Sequence, residues 1–222
     1  MAEISYLGHA CFRLRGKEGI VLCDPYHPTL GLELGKPTAH IVTLSHGHPG
    51  HSNAAAVRPV QTQPFVIDGP GEYEVRGILL TGVRSYHDKN KGLERGFNTI
   101  YVIRLDDISY CHLGDLGHDL SQSQLEEIGN VDVLFVPVGG EETIGPAEAV
   151  SVISQLEPRL VIPMHYAPPQ SSFARQLLPL EGFIHEMGLK DLVSKEKVSV
   201  TASSLPGEGE EMRVLVMQPS NN

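Results

Sequence analysis

The chain has 222 residues, with 27 acidic against 17 basic side chains and a formal net charge of −10. Its length allows a sizeable core in one large domain, and 23 Gly with 16 Pro are too few for a low-complexity chain. The acidic balance argues against a nucleic-acid partner, because such binders need a basic footprint to displace phosphate counterions.

The opening residues Met1-Ala2-Glu3-Ile4-Ser5-Tyr6 carry neither the basic nor the apolar region of a signal peptide. No apolar run reaches membrane-spanning length. Cys11, Cys23 and Cys111 are odd in number and widely spaced, which excludes a disulfide framework and a thiolate zinc site. A soluble protein of the reducing cytoplasm, without a membrane partner, is the expectation.

Ile4–Leu7, Cys11–Leu14 and Ile20–Cys23 read as closely spaced strands of an antiparallel meander, the last stopped by Asp24-Pro25. Ile41-Val42-Thr43-Leu44 is nearly continuous in apolar character, the pattern of a strand buried on both faces. Ser45-His46-Gly47-His48-Pro49-Gly50-His51 follows at once, and Ser52 is placed to cap a short helix over 53–57. Tyr73–Val83, Asn98–Leu105 and Ile108–Leu113 continue the strands, with Asp106-Asp107 as a turn and Gly114-Asp115 as a stop.

The period then changes. Ser121 with Gln124 forms a capping-box signature for a helix that Gly129 closes. Val131–Val136 is a strand. Pro146 starts a helix whose Ala149, Val152, Ile153 and Leu156 share one face. Leu160–Ile162 follows as a strand ending at Pro163-Met164-His165. This βαβ unit requires two parallel strands with a right-handed crossover. A last helical stretch is expected over Phe173–Met187, interrupted at Pro179. Val198–Thr201 and Met212–Met217 read as a closing hairpin around the acidic turn Pro206–Glu211. With no linker or compositional break, residues 1–222 are expected to form a single α/β domain.

Eleven histidines stand out in this chain, which has no Trp. His46, His48 and His51 follow one strand, His87 a second, Asp115 a third and His165 a fourth. Ligands of α/β sheets bind beyond the carboxyl ends of strands, so these residues meet if the strands are neighbours. Gly47 lets the loop bend, and Pro49-Gly50 turns it again toward His51. Imidazole nitrogen with carboxylate oxygen suits Zn, with Mn or Fe also admitted. Taken singly, Asp115 serves equally as a turn cap, and His165 as a buried, hydrogen-bonded histidine. Arg84, Lys89, Lys91 and Arg95 flank His87 and read either as a phosphate-friendly lip or as a solvated basic loop.

The ordered set Gly8-His9-Ala10-Cys11-Phe12, Asp24-Pro25, His46 to His51, Gly69-Pro70-Gly71-Glu72-Tyr73, His87, Gly114-Asp115 and Pro163-Met164-His165 resembles the metallo-β-lactamase-fold hydrolases. It is most similar to their small bacterial branch around L-ascorbate-6-phosphate lactonase. The resemblance implies a four-layer αββα sandwich with a metal site in the cleft between its halves. It implies one or two ions, the first held by His46, His48, His87 and Asp115. The second would take His51, Asp115, His165 and an Asp that precedes the last clustered His. The implied chemistry is hydrolysis of a small ester, lactone or phosphoester by zinc-bound hydroxide, since zinc brings the pKa of its water to about 7. Asp115 bridges the ions or holds the attacking water. Asp24 either supports the histidine loop from behind or forms an ordinary Asp-Pro turn, and His9 stands at the rim of the cleft or holds the Gly8 turn.

The family pattern is His-x-His-x-Asp-His, and this chain has Gly50 where the Asp belongs. Three outcomes follow: a weakened second ion with extra water, a mononuclear site, or replacement by another residue, with His118 and His9 the candidates by type. A metal-binding protein with little or no hydrolase activity is the competing reading. It predicts that Gly50→Asp raises metal content and hydrolysis. The expected partner is a small-molecule substrate, with homo-oligomer formation left open.

Overall fold

Apolar side chains alternate between two destinations along the strands, and this alternation sets the layers. In β1 (Ala2–Gly8), Ile4 and Tyr6 join one apolar cluster while Leu7 joins another. The computed structural model describes residues 1–167, 177–190, 194–207 and 209–220. Within these, β2 (Cys11–Arg15), β3 (Ile20–Cys23), β4 (Ile41–Thr43) and β5 (Phe65–Ile67) follow β1. Then come β6 (Gly71–Val75), β7 (Ile78–Tyr86), β8 (Phe97–Leu105), β9 (Ile108–His112), β10 (Val133–Pro137) and β11 (Leu160–Met164). β12 (Lys197–Val200) and β13 (Arg213–Val214) complete the two large sheets among the described residues.

The first sheet runs β12-β1-β2-β3-β4-β5 and the second β13-β11-β10-β9-β8-β7-β6. The expected meander is present in β1, β2 and β3, after which β4 pairs parallel to β3 and β5 parallel to β4. In the second sheet β6 to β9 are antiparallel, and β9, β10, β11 and β13 are parallel. The helices α1 (Gln122–Ile128), α2 (Pro146–Leu156) and α3 (Leu180–Glu186) follow in chain order. The βαβ unit expected from the period change is the β10-α2-β11 crossover, registered Val133 to Leu160 through Pro137 to Met164.

The inner faces of both sheets meet in one cluster, where Tyr6, Phe12, Tyr101, Tyr110 and Phe135 are all buried. The helices cover the second sheet's outer face: Val152, Ile153 and Phe183 pack on Val102, Cys111 and Leu134. The first sheet's outer face is covered differently. Tyr26, Leu34 and Val57, with two 3-10 turns at Pro28–Leu30 and Ala54–Ala56, close over Leu7, Leu22 and Val42. Phe135 sits at the middle of the sandwich, its ring centroid 4.2 Å from that of Phe12. Phe135→Ala is expected to cost about 3–5 kcal/mol through the cavity it leaves. Chemical unfolding checks this, as a fall in the midpoint at unchanged slope.

Three expectations need correction. Tyr73–Val83 is two strands, because Arg76 (φ 59°) and Gly77 (φ 80°) form the two-residue loop that antiparallel hairpins favour. The 53–57 helix is a single 3-10 turn, and Ser52 does not cap it: its hydroxyl donates to the carbonyls of Gly47 and His48. The closing hairpin is absent among the described residues. β12 completes an edge of the first sheet against β1, and β13 an edge of the second against β11. Glu208, in the acidic turn expected between them, lies outside the described residues. In the last helical stretch, residues 173–176 also lie outside them, and the helix seen there starts directly after Pro179. No helix among the described residues is long and apolar enough to cross a membrane.

Candidate metal centre

The turns after β3, β4, β7, β9 and β11 converge on one edge of the sandwich, together with the turn between β1 and β2. Asp24 leaves β3 with φ 45° and is fully buried. Its carboxylate accepts from the Ser45 amide (2.8 Å), the Ser45 hydroxyl (2.6 Å) and His51 Nδ1 (2.8 Å). One side chain therefore ties both ends of the histidine loop to the preceding strand. Because the Ser45 hydroxyl points to Asp24, its oxygen accepts from His46 Nδ1 at 2.9 Å. The Nδ1 atoms of His46 and His51 are both committed behind the site, so it is their Nε2 atoms that turn into it, the orientation a metal ligand requires.

Asp115 arrives on a turn with little tolerance. Gly114 has φ 56°, and a Cβ there would stand 2.4 Å from Asn98 Oδ1. That same Asn98 oxygen accepts from the Asp115 amide at 2.9 Å. The buried carboxylate then faces four imidazoles: His51 Nε2 at 3.0 Å, His87 Nε2 at 3.2 Å, His165 Nε2 at 3.3 Å and His46 Nε2 at 3.6 Å. His48 is the solvent-facing member, its ring centroid 4.6 Å from that of His46 and 5.1 Å from that of His87. All six positions expected to hold metal are thus brought together.

His9 belongs to the same cluster. Its ring centroid is 4.3 Å from that of His165, and its Nε2 is 3.2 Å from His51 Nε2. Its carbonyl accepts from the His165 amide and the Tyr6 hydroxyl, so the β1–β2 turn is fastened to the turn after β11. The ligand-type atoms fall into three groups, each spanning no more than 4.8 Å: His46-His48-His87, His46-His51-Asp115 and His9-His51-His165. His118 stays outside them, accepting from the Tyr86 amide through Nε2. His112 ties the sheets instead, its Nδ1 accepting from Gly114 and its Nε2 donating to the Ala10 carbonyl.

These residues fit a metal. His46 Nε2, His87 Nε2 and Asp115 Oδ1 are buried and make no hydrogen bond of good geometry. Leaving a buried polar atom unmade costs about 1–3 kcal/mol, a cost that coordination removes. The electrostatics point the same way. Burial raises the Asp115 pKa, but the His165 and His51 imidazoles outweigh it and hold the carboxyl well below its usual range. Burial disfavours a charged His51, yet Asp115 and Asp24 on either side lift it to about 10. Burial, followed by His51, lowers His46 to about 3, and burial, followed by His165 and then His51, holds His9 well below its ordinary value. These shifts favour a protonated His51 against an ionised Asp115, with His46 and His9 neutral.

A cavity of about 470 Å³ opens beside His87. The basic loop expected there is mixed in charge. Lys89 and Arg95 line the cavity with Asp88, Glu94, Glu141, Glu142 and Glu148, and Lys89 is paired with Glu148. Arg84 lies over the Phe97 ring instead, 5.0 Å from its centroid. The loop is held by Asp88, whose carboxylate accepts from the amides of Asn90, Gly92, Glu94 and Arg95.

Residues 3–165 match the family model for the beta-lactamase superfamily domain. The chain belongs to that superfamily. Among solved structures of metallo-β-lactamase fold, it is similar to a Thermotoga maritima protein assigned to the Zn-dependent hydrolases. The two are 34% identical with a TM-score of 0.76, over 98% of this chain and 99% of that one. A Thermococcus kodakarensis protein named a UPF0173 metal-dependent hydrolase is 26% identical, covering 75% of this chain and 85% of its own. Its Thermococcus onnurineus counterpart is 28% identical over the same shares. The superfamily fold is the one the ordered motifs imply, and the sheet edge carrying its strand-end turns is where the histidines of this member gather.

Proposed function

We propose that this superfamily member is a zinc-dependent hydrolase of small esters, lactones or phosphoesters. The observation that carries the reading is Asp115, one buried carboxylate with the Nε2 atoms of His46, His51 and His87 about its Oδ2 and that of His165 against its Oδ1. A divalent ion held there would act as a Lewis acid and bring the pKa of water toward about 7. Asp115 supplies the shared anion and orients the attacking water, while Asp24 and Ser45 fix the histidine tautomers. The nitrogen-rich donor set supports zinc over Mn or Fe, which favour more oxygen. Gly50 leaves the His51 side without the usual carboxylate, so two ions would share the single charge of Asp115 and the second is held more weakly. The cavity beside His87 is of a size for a small molecule. The acidic lining of that cavity gives phosphate no special support. Three buried, unpaired cysteines support a cytoplasmic setting, and the acidic balance supports the absence of a nucleic-acid partner.

Protein purified without added metal tests this, by metal analysis together with hydrolysis of an aryl ester, a δ-lactone and an aryl phosphodiester. The expected result is at least one zinc per chain and chelator-sensitive turnover of one of the three. A chain without metal, or turnover that a chelator leaves untouched, overturns it. Gly50 favours one alternative, a metal-binding protein with little hydrolase activity. Bound zinc with no turnover of any of the three substrates would establish that alternative.

A further inference from the structure

We infer that His9 is a ligand of the second metal, standing in for the carboxylate that position 50 lacks. The inference rests on the metal-centre reading and adds a residue to it. Three observations carry it. First, a Cβ built on Gly50 would stand 2.8 Å from His9 Nε2, closer than real side chains come. The His9 imidazole tip occupies the space a residue-50 side chain would enter, so an Asp at 50 would require the His9 ring to move from its present place. Second, the distances suit a single ion. Nitrogens 2.0–2.1 Å from a tetrahedral zinc stand about 3.3 Å apart. His9 Nε2 to His51 Nε2 is 3.2 Å, the ligand atoms of His9, His51 and His165 all lie within 4.8 Å of one another, and Asp115 stands beside them with Oδ2 3.0 Å from His51 and Oδ1 3.3 Å from His165. Third, the placement is built rather than incidental. His9 has φ 56°, its carbonyl is held by the His165 amide and the Tyr6 hydroxyl, and the residue is 7% exposed.

The consequence is a change in ligand class. Position 50 would supply anionic oxygen, whereas His9 supplies neutral nitrogen. The second site becomes three imidazoles with Asp115 as its only anion, a set that suits zinc and disfavours hard, oxygen-seeking ions. A second ion can thus be retained despite Gly50, with a selectivity different from that of an Asp-bearing loop.

The test counts ions, using zinc alone as the probe. His9→Gly keeps the positive φ and removes the ring. The wild type is expected to bind two zinc ions per chain and His9→Gly one, the second ion weakened by at least about 10-fold. His9→Gly with Gly50→Asp is expected to return to two, because the carboxylate then has room. Gly50→Asp alone is not a clean restoration, since the new side chain meets His9. For a readout independent of variant folding, the wild type is loaded with cadmium-113 and its coupling to histidine ring protons is recorded. Coupling to His9 supports the inference; coupling to the other five clustered histidines without His9 overturns it. Equal zinc counts in wild type and His9→Gly also overturn it. A wild type that binds no metal overturns the metal-centre reading itself, so the two failures are distinguishable.

Discussion

Alanine at both His46 and His48 is expected to remove hydrolysis and at least one bound ion together, leaving the fold in place. The two rings, with His87, form the group nearest the cavity, and their ligand-type atoms lie within 4.8 Å of one another. Two of three nitrogens leave at once, so His87 and Asp115 alone would hold that ion. Metal-assisted hydrolysis draws several kcal/mol of transition-state stabilisation from the ion, and each 1.36 kcal/mol is tenfold in rate. A fall of about a thousandfold or more in kcat/KM is expected. The fold should tolerate the change, because His46 Nε2 makes no hydrogen bond to the protein and His48 faces solvent. Metal analysis, steady-state kinetics and a melting curve on the same sample check all three parts. Full activity in a variant that has lost its metal would overturn the hydrolase reading.

Much of this architecture is local and was therefore readable. The Ser121–Gln124 capping box forms as its spacing requires, with Ser121 Oγ accepting from Gln124 N and Gln124 Oε1 accepting from Ser121 N. Helix α2 buries Ala149, Val152, Ile153 and Leu156, the face that its 3.6 period predicts. What escaped was set elsewhere. The Arg76-Gly77 turn interrupts a run whose alternation continues on both sides, and only Gly77 marked it. The two closing strands lie close in sequence but satisfy the open edges of different sheets, a choice made by tertiary pairing and not by the turn between them. His9 shows the limit most clearly. Read locally, Gly8-His9 is a turn between strands. Its partner Gly50 is 41 residues away, and the absence of a side chain there carries meaning only once both turns stand at the same edge.

Asp115→Asn is expected to cost both chemistry and metal-free stability, with pH dependences that separate the two. With metal present, the amide cannot serve as an anionic bridge, and kcat/KM should fall at least as far as in the paired histidine variant. With metal removed, the carboxylate is the main partner of the buried His51 proton. Breaking a buried ion pair costs about 3–5 kcal/mol, because the other charge is left uncompensated. The sign of the pH effect follows from the two shifts. The Asp115 pKa is depressed in the folded state, so its contribution is present above the unfolded value of about 4 and lost as pH falls. The His51 pKa is raised, so its contribution is complete below about 6.5 and is lost as pH rises toward about 10. The stability gap between wild type and variant should therefore be widest between about pH 4.5 and 6.5 and shrink steadily toward pH 10. Denaturant unfolding in excess chelator across that range measures it. A gap that stays constant from pH 5 to pH 10 would sever His51 from Asp115, and with it the picture of a cluster in which metal takes the place of a proton.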